Sequence, residues 1–534
     1  MGTTGILSQI SLKKRDLVGY LPKNAKKLHY SQLNLTFFWR FSCVFQKKAV
    51  PLQRILIKQA MLIGREKEQR QLLQLFESDQ SEFVALYGRR RVGKTYLVKE
   101  TFQDKFVFRH TGIQKASKDK QLAEFAKSLQ RSGMQQVPQL RDWYDAFSAL
   151  GACLESLPQG RKVLFIDELP WMDTQKSNLI SALEHFWNGW ATYRNDILLV
   201  VCGSATSWII QKIIKNYGGL HNRLTRRIVL QPFTLHECEL YSIAKGLGMT
   251  RRQIMETYMV LGGIPYYWSL LNRELSWAQS INALFFAQEA ELQNEFEALY
   301  ASLFKNPVHH IEVVTALGTK KAGMTRGEIA EALGQDTGGT LTNILKELEQ
   351  CGFLRAYNTI GKRKKDTLYQ LTDNYTLFYF KFIKANRQQD EQFWSRSLTK
   401  PVYAAWSGLA FERVCMQHLP QIKKALGIAG VSANAYSWIY RPQEDGETGV
   451  QIDMLIDRDD RVINLCEMKF SNDRYTISKQ YDEQLRHKAS VFQTKCATRK
   501  AVRLTMITTY GITPNPYAGN IHNVVTMDDL FAEA

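Results

Sequence analysis

Residues 87–100 have the types and spacing that bind a polyphosphate. This stretch contains G-x-x-x-x-G-K-T, which begins at Gly88 and ends at Thr95. Gly88 and Gly93 allow the loop to curl, so that backbone N–H groups can surround anionic oxygens. Lys94 can reach the outer phosphates, and the hydroxyl of Thr95 can bind Mg²⁺. The loop residues that we predict to contact a nucleotide are Gly88, Val92, Gly93, Lys94, Thr95 and Tyr96.

Two acidic residues at the end of an apolar run supply the second half of the same site. The sequence VLFIDE places Asp167 and Glu168 where a buried strand would end. Unpaired carboxylates are costly at such a position. We predict that Asp167 holds Mg²⁺, directly or through water, and that Glu168 is the general base that polarises the attacking water. The alternative is a strand that ends in ordinary surface acids.

Two further polar positions follow the next apolar run. Ser204, in CGSATSW, could lie between the two carboxylates and sense the γ-phosphate, or it could only cap the start of a helix. The segment NRLTRR, residues 222–227, supplies three arginines, of which Arg223 is our first candidate for an arginine finger or phosphate sensor. A solvated basic turn is the alternative for the others.

A second group of acidic residues lies near the C-terminus. GVQIDMLIDRDDRVINLCEMKF, residues 449–470, is typical of two strands joined by a tight turn. Asp453 lies in the first strand, Glu467 and Lys469 lie on one face of the second, and Glu412 lies upstream on a predicted helix. Three carboxylates could hold Mg²⁺ while Lys469 positions or activates the attacking water. An amphipathic hairpin with cross-strand ion pairs is the alternative.

The elements that must position the first site alternate along the chain. Short apolar runs separated by helical stretches predict an α/β fold with a parallel sheet flanked by helices. The predicted strands are residues 82–88, 106–111, 162–172, 197–206 and 228–233. Residues 234–300 follow with a helical pattern.

Residues 308–372 show the pattern of a winged helix. Three short helical segments precede two strands, which enclose the basic turn at residues 361–366. The third helix, residues 338–351, would be the recognition helix, and the turn would be the wing. The polar residues that could face a groove or touch phosphates are Thr340, Thr342, Asn343, Lys346, Lys362, Arg363, Lys364 and Lys365. A winged helix that only packs against the rest of the chain is the alternative.

Six segments together resemble the prokaryotic ATPase family of the AAA+/STAND branch. They are GREKE, YGRRRVGKT, FIDELPWM, CGSATSW, NRLTRRIVLQPF and LGGIPYYWSLL, in this order, and they cover about residues 61–275. The resemblance implies ATP and Mg²⁺ binding, ATP hydrolysis, and a helical lid shaped by Gly262, Gly263 and Pro265. The arginines Arg89, Arg90 and Arg91 are typical of the family, but their contacts cannot be inferred from the sequence.

The last segment resembles a domain that is often fused to these ATPases. WSGLAFERVC, QIDMLIDR, CEMKFS, ITTYGI and VTMDDLF carry the resemblance over about residues 400–534. That domain is considered similar to restriction endonucleases of the PD-(D/E)xK type. The resemblance implies metal-dependent phosphodiester cleavage by Glu412, Asp453, Glu467 and Lys469.

Charge and cysteine usage restrict the setting of the protein. The net charge is +19, and residues 1–60 contain eleven Lys and Arg against one acidic residue, Asp16. This basic extension could attract nucleic acid or a membrane surface, or the working protein could begin at Met61. The eight cysteines form no C-x-x-C pair, and no apolar run is long enough to cross a bilayer. We therefore expect a cytoplasmic protein without stable membrane insertion.

These observations predict an ATPase that acts on nucleic acid, most simply DNA. The predicted parts are a basic extension, an ATPase core, a helical lid, a winged helix and a nuclease-like domain, at residues 1–60, 61–233, 234–300, 301–375 and 400–534. The alternative is a signalling or scaffold ATPase that acts as a switch and whose C-terminal part binds a partner without cutting. A homo-oligomer or a protein partner fits either hypothesis.

Overall fold

The computed structural model describes most of the chain beyond the basic extension. The described residues are 62–533 without 216–218, 221, 335–337, 358–365, 387–389, 441 and 443–447. The predictions for residues 1–60 and for Lys362, Arg363, Lys364 and Lys365 therefore concern residues outside the described part.

A parallel five-stranded sheet forms the centre of the ATPase core. Its strands are β1 (Glu82–Tyr87), β2 (Phe106–Thr111), β3 (Lys162–Asp167), β4 (Ile197–Gly203) and β5 (Arg226–Val229). The strand order is β2-β3-β4-β1-β5, and every neighbouring pair is parallel. The carboxyl ends of all five strands therefore meet at one edge, where α/β sheets bind ligands.

Helices cover both faces of this sheet. They are α1 (Glu66–Phe76), α2 (Lys94–Phe102), α3 (Lys118–Arg131), α4 (Trp143–Glu155), α5 (Leu169–Met172), α6 (Leu179–Gly189) and α7 (Thr206–Trp208). Strands β1, β3 and β4 are buried almost throughout because they are apolar on both faces. Successive side chains of a strand point to opposite faces of the sheet, so Val84 packs in one apolar core and Phe83 packs in the other. The predicted α/β architecture with a parallel sheet is confirmed.

A helical segment follows the sheet. It consists of α8 (Leu235–Lys245), α9 (Arg251–Leu261), α10 (Pro265–Ser269), α11 (Trp277–Phe285) and α12 (Glu295–Leu303). Gly263, before α10, accepts a hydrogen bond from the backbone N–H of Phe233 at 2.6 Å. A Cβ at Gly263 would lie 1.9 Å from the Phe233 carbonyl oxygen, so only glycine permits this approach of the helical segment to the end of the sheet.

Residues 307–371 form three helices and a small antiparallel sheet. The elements are α13 (Pro307–Gly318), β6 (Met324–Thr325), α14 (Arg326–Leu333), α15 (Gly339–Gln350), β7 (Leu354–Tyr357) and β8 (Leu368–Leu371). The strand order is β6-β8-β7. The sequence predicted the three helices and the last two strands but not the two-residue strand β6. Two short helices then lead onward, α16 (Asn374–Phe378) and α17 (Phe393–Ser397).

The C-terminal part contains a second five-stranded sheet of mixed type. Its elements are α18 (Pro401–Gln417), α19 (Leu419–Ala425), β9 (Ala433–Tyr440), β10 (Val450–Arg458), β11 (Val462–Lys469), α20 (Lys479–Cys496), β12 (Ala501–Thr508) and β13 (Asn523–Thr526). The order is β13-β12-β11-β10-β9, with β9, β10 and β11 antiparallel and β11, β12 and β13 parallel. The predicted hairpin is the pair β10 and β11.

One apolar core runs through all of these parts. The same cluster contains Val84 of β1, Trp268 of α10, Leu348 of α15, Trp406 of α18 and Phe531 near the C-terminus. Residues from Leu62 onward form one compact unit. Within the part of the chain that the structure describes, no helix combines the length and apolar character needed to cross a membrane.

Candidate functional site

The glycine loop lies between β1 and α2, at the carboxyl edge of the parallel sheet. Gly88 has φ 146°, and a Cβ there would lie 2.3 Å from the carbonyl oxygen of Leu230. Gly93 has φ 90° and is the residue before α2. Both conformations favour glycine. The loop thus delivers the N-terminus of α2, with its free backbone N–H groups, to the end of β1.

Lys94 is buried and points back across the loop. Its Nζ donates to the carbonyl oxygens of Gly88 at 3.0 Å and of Arg89 at 2.9 Å. These two carbonyl oxygens of the loop accept hydrogen bonds from the ammonium group. Phosphate oxygens are stronger acceptors than neutral carbonyls, so Lys94 is placed to exchange these bonds for a polyphosphate.

Thr95 and Asp167 meet as the sequence pattern requires. The Thr95 hydroxyl donates to Oδ2 of Asp167 at 2.6 Å, across 72 positions of sequence. The other oxygen, Oδ1, accepts the backbone N–H of Glu168 at 2.9 Å. A hydroxyl and a carboxylate oxygen side by side are the donor types that Mg²⁺ binds in phosphate sites. These two residues fit the predicted role.

Glu168 is held in position by Ser204. The backbone N–H and the hydroxyl of Ser204 each donate to Oε2 of Glu168 at 3.0 Å. Burial raises the pKa of Glu168, against the hydrogen bonds from Ser204 and the charge of Lys94. Helix α7 begins at Thr206 after Ala205, so Ser204 orients Glu168 and does not cap this helix. Glu168 itself has φ 46°, a left-handed conformation that turns its side chain toward β4.

Arg223 lies in the segment that leads to β5. Arg223 is exposed in the segment before β5, and its backbone N–H donates to Leu220 at 3.1 Å. Among the described residues, no hydrogen bond of Lys94, Thr95 or Glu168 involves its side chain. Of the other two predicted contacts in the loop, Val92 is buried, whereas Tyr96 is 49% exposed.

Two of the three loop arginines bind other parts of the same chain. Arg89 forms a buried ion pair with Asp373, the residue before α16, and its guanidinium lies 4.6 Å from the ring centroid of Phe353. Arg91 pairs with Glu295 of α12 at 2.6 Å and lies 4.3 Å from the ring centroid of Tyr266. The sequence did not show which groups these arginines contact, and the structure shows that Arg89 and Arg91 contact other residues of this chain.

Arg65 is a site residue that the sequence interpretation missed. It is buried, and its Nη2 donates to the carbonyl oxygen of Gln231 at 2.7 Å and to that of Val92 at 3.4 Å. Arg65 thus ties the glycine loop to the segment that follows β5. The only signal in the sequence was its place in GREKE, one of the segments that resemble the ATPase family. That segment does not predict the contacts of Arg65 with Gln231 and Val92.

The four predicted residues of the C-terminal group lie on α18, β10 and β11. Glu412, Asp453 and Glu467 are largely buried, with side chains 14%, 10% and 4% exposed. Burial and then the nearby carboxylate of Asp453 raise the pKa of Glu412. Lys469 lies with its Nζ 3.8 Å from Oε1 of Glu467 and 5.0 Å from the ring centroid of Tyr481.

Lysine ammonium groups lie next to the carboxylates of Glu412, Asp453 and Glu467. The Nζ of Lys321 lies 2.8 Å from Oε2 of Glu412 and 3.3 Å from Oδ1 of Asp453. The Nζ of Lys488, on α20, donates to Oε2 of Glu467 at 2.7 Å. Neither lysine had a signal in the sequence.

The predicted Mg²⁺ ligands Glu412, Asp453 and Glu467 do not form a ready metal site in this arrangement. Within the described ranges, no group of three or more His, Cys, Asp or Glu side chains is placed to hold a metal ion. The physical reason is that lysine ammonium groups divide the carboxylates. Glu412 and Asp453 both contact Lys321. Glu467 instead contacts Lys488 and Lys469. The donor types suit a divalent cation, but a lysine ammonium group lies against each carboxylate.

The predicted recognition helix, α15, presents a polar face to solvent. Its apolar residues pack inward, and the four predicted contact residues Thr340, Thr342, Asn343 and Lys346 are all exposed. The hydroxyl of Thr342 accepts a hydrogen bond from Arg326 at 3.0 Å. Glu347, further along the helix, forms a hydrogen bond with His310 at 2.8 Å.

Comparison with known proteins finds a family match for residues 62–271. The family model of an ATPase domain found predominantly in Archaea matches residues 62–271. An uncharacterized protein of Methanocaldococcus jannaschii is 24% identical over 410 residues, which cover 72% of this chain and 83% of that protein.

Several solved structures match parts of this chain, each with a TM-score below 0.5. The Walker-type ATPase of Pyrococcus abyssi is 15% identical with a TM-score of 0.43, over 59% of this chain and 95% of that one. The ORC2 protein of Aeropyrum pernix is 15% identical with a TM-score of 0.36, over 59% and 92%. A STAND protein with a tetratricopeptide repeat sensor from Pyrococcus horikoshii is 13% identical with a TM-score of 0.29, over 69% and 52%.

The family match covers the glycine loop, both acidic residues after β3, and Ser204. The parallel sheet with its loop between β1 and α2 has the architecture of P-loop ATPases. Residues 62–271 are therefore an archaeal-type P-loop ATPase domain.

Proposed function

We propose that this chain hydrolyses ATP at the site between β1 and β3, and that the rest of the chain directs this activity to nucleic acid. The proposal of ATP hydrolysis rests on a chain of hydrogen bonds that runs from Thr95 through Asp167 and Glu168 to Ser204. It brings together a hydroxyl, a carboxylate and an oriented buried carboxylate at the mouth of a phosphate loop.

Each of these residues has a separate task in the proposed reaction. The loop N–H groups and Lys94 bind the phosphates, and Thr95 with Asp167 would hold Mg²⁺. When bound, Mg²⁺ supplies positive charge to the phosphate oxygens. Glu168 accepts a proton from the attacking water, and Ser204 keeps its carboxylate turned toward that water. Arg223 remains a proposed arginine finger or phosphate sensor.

The ATPase proposal is tested by three variants of the full chain. We expect Lys94→Ala to lose ATP binding, and Glu168→Gln to bind ATP but hydrolyse it at least about 100-fold more slowly, because the proton acceptor is gone. Arg90→Ala, in the same loop, is the matched control and should hydrolyse ATP normally. Hydrolysis by Glu168→Gln at the rate of the unmodified chain would contradict the proposed base.

A nucleic-acid role is supported by the shape of residues 307–371. We propose that they act as a winged helix, with the exposed face of α15 in a groove and the basic turn at 361–366 near phosphates. DNA should then stimulate ATP hydrolysis. Neutralising Lys362, Arg363, Lys364 and Lys365 together should weaken this stimulation and reduce its dependence on salt. Unchanged stimulation in that variant would remove the wing from the proposal.

We further propose that residues 400–534 are a nuclease-like part of the PD-(D/E)xK type. The carboxylates of Glu412 and Asp453, which together already face one cation, support this assignment. Cleavage of DNA or RNA with Mn²⁺ or Mg²⁺ that is lost in Lys469→Ala is the expected result. Equal behaviour of the unmodified chain and Lys469→Ala would contradict it.

One observation favours the second candidate, a switch ATPase whose C-terminal part binds without cutting. Every one of the three carboxylates has a lysine within 3.3 Å of one of its oxygens, so the group is already charge-compensated. On this hypothesis, a protein partner alone stimulates ATP hydrolysis, and DNA does not. Measuring ATP turnover with DNA and with a partner captured on the full chain separates the two candidates.

A further inference from the structure

Lys321 reaches from one part of the chain into the acidic group of another. It lies on the turn between α13 and β6, within residues 307–371, whereas Glu412 and Asp453 lie on α18 and β10. Its Nζ is 2.8 Å from Glu412 Oε2 and 3.3 Å from Asp453 Oδ1. One ammonium group therefore bridges two carboxylates from two different elements of the C-terminal sheet region.

The turn that carries Lys321 is fixed from its own side. The carbonyl oxygen of Lys321 accepts a hydrogen bond from Gln370 Nε2 of β8 at 2.7 Å. The next carbonyl, of Ala322, accepts one from the Tyr357 hydroxyl of β7 at 2.6 Å. Because strands β7 and β8 hold the backbone of the turn, Lys321 moves with the three-stranded sheet.

The same sheet is docked against the strands of the acidic group. Arg355 of β7 donates to the hydroxyl of Ser437 on β9 at 3.1 Å, and that hydroxyl donates to the backbone carbonyl of Asp453 at 2.7 Å. Tyr357 of β7 also shares a buried apolar cluster with Trp438 of β9, so the three-stranded sheet packs closely against the strands of the acidic group.

The other lysines near the acidic group pair within their own parts of the chain. The third carboxylate, Glu467, is turned to Lys488 and Lys469. The neighbouring Lys320 pairs with Glu328 at 2.6 Å within its own module. Lys321 alone among these lysines links the module of residues 307–371 to the acidic group.

We propose that Lys321 is a built-in cation that keeps divalent metal off Glu412 and Asp453 until its side chain is displaced. The inference rests on the proposed nuclease-like site and assigns its regulation. The ammonium occupies the space between the two carboxylates, so a divalent ion can bind there only after Lys321 leaves. Displacement of that side chain would then open the site.

Calorimetric titration of Mn²⁺ into the full chain tests the inference without relying on cleavage. We expect Lys321→Met to bind Mn²⁺ at least about ten-fold more tightly than the unmodified chain, because a unit positive charge has left the cation position. Lys320→Met is the matched control and should bind as the unmodified chain does. Adding Asp453→Asn to Lys321→Met should abolish the gain. If Lys321→Met does not fold, Lys321→Gln, which can still donate hydrogen bonds, serves the same comparison.

Two results would overturn the inference, and they differ in what they say of the proposed function. Equal Mn²⁺ affinity of the unmodified chain and the Lys321 variants would remove the blocking role and leave the nuclease-like site standing. No Mn²⁺ binding to any variant would overturn both proposals.

Discussion

Glu168 shows how a single position combines backbone conformation, burial and hydrogen bonding. Its left-handed φ of 46° turns the side chain toward β4, where Ser204 donates two hydrogen bonds to one oxygen. Burial raises its pKa, and those two bonds oppose the rise. A proton acceptor works best when its pKa approaches the working pH, so the environment of Glu168 suits the proposed base.

The pH dependence of hydrolysis should report this environment. We expect the rate to fall on the acidic side as Glu168 becomes protonated, with the midpoint above the ordinary glutamate value of 4.5. Ser204→Ala should move this midpoint to still higher pH, because a hydrogen bond that stabilises the carboxylate is lost. The measurement is kcat against pH for both proteins. An unchanged or lower midpoint in Ser204→Ala would contradict the proposed contact.

At the scale of elements, the glycine loop is fixed by charge pairs to distant helices. Arg89 and Asp373 are 284 positions apart, yet they form a pair in which both side chains are less than 10% exposed. Asp373 also accepts hydrogen bonds from the backbone N–H and hydroxyl of Thr376, in the first turn of α16. One carboxylate therefore starts a helix and anchors the loop.

Breaking this pair should destabilise the fold. Arg89→Ala leaves the carboxylate of Asp373 buried without its main partner, and we expect the free energy of unfolding to fall by about 3 kcal/mol. Arg90→Ala, one residue further on, should change it by less than about 0.5 kcal/mol. Urea unfolding of the two variants gives the comparison, and similar values for both would contradict a structural role for Arg89.

The same elements show what the sequence could and could not predict. The strands β1, β3 and β4 were predictable because each is a short apolar run ending in polar residues with a known use. The hairpin β10–β11 was predictable from alternation around a turn. The contacts of Arg89 with Asp373 and of Lys321 with Asp453 were not, because they join elements 284 and 132 positions apart and leave no local pattern. For the same reason, the sequence could not predict that the Lys321 ammonium lies against Glu412 and Asp453.

At the scale of the whole molecule, a buried histidine joins two segments of the described chain that are 183 positions apart. His418, between α18 and α19, accepts the backbone N–H of Leu235 through Nε2 at 3.0 Å, and its Nδ1 bonds the Val414 carbonyl at 2.8 Å. Leu235 is the first residue of α8, so the bond ties the C-terminal part to the helical segment after the ATPase sheet. Burial lowers the pKa of His418 to about 4.

Stability should therefore depend on pH in a defined direction. The unfolded chain takes up a proton near pH 6.5, whereas folded His418 resists protonation down to about pH 4, so its contribution is complete above pH 6.5 and is lost as pH falls toward 4. We expect a loss of about 3 kcal/mol from this group over that range. His110, with a pKa lowered by burial to about 4, acts in the same direction.

Denaturant unfolding at pH 8 and pH 4.5 measures the effect. His418→Gln should be less stable than the unmodified chain at pH 8 and should lose less stability on acidification. His309→Gln, which removes an exposed histidine, is the control and should keep the full pH dependence. A pH dependence that is identical in His418→Gln would show that the histidine is not buried in neutral form.

The apolar core that extends from β1 to the C-terminus has a consequence for how such chains can be inherited. Trp268, Leu348 and Trp406 lie in three different segments and share one cluster with Val84 of the ATPase sheet. A recombination event that replaced only the last segment would have to supply side chains matching all the others, or leave the core open. The ATPase and its C-terminal parts should therefore pass between genomes as one block, with changes in one segment matched by changes in its packing partners.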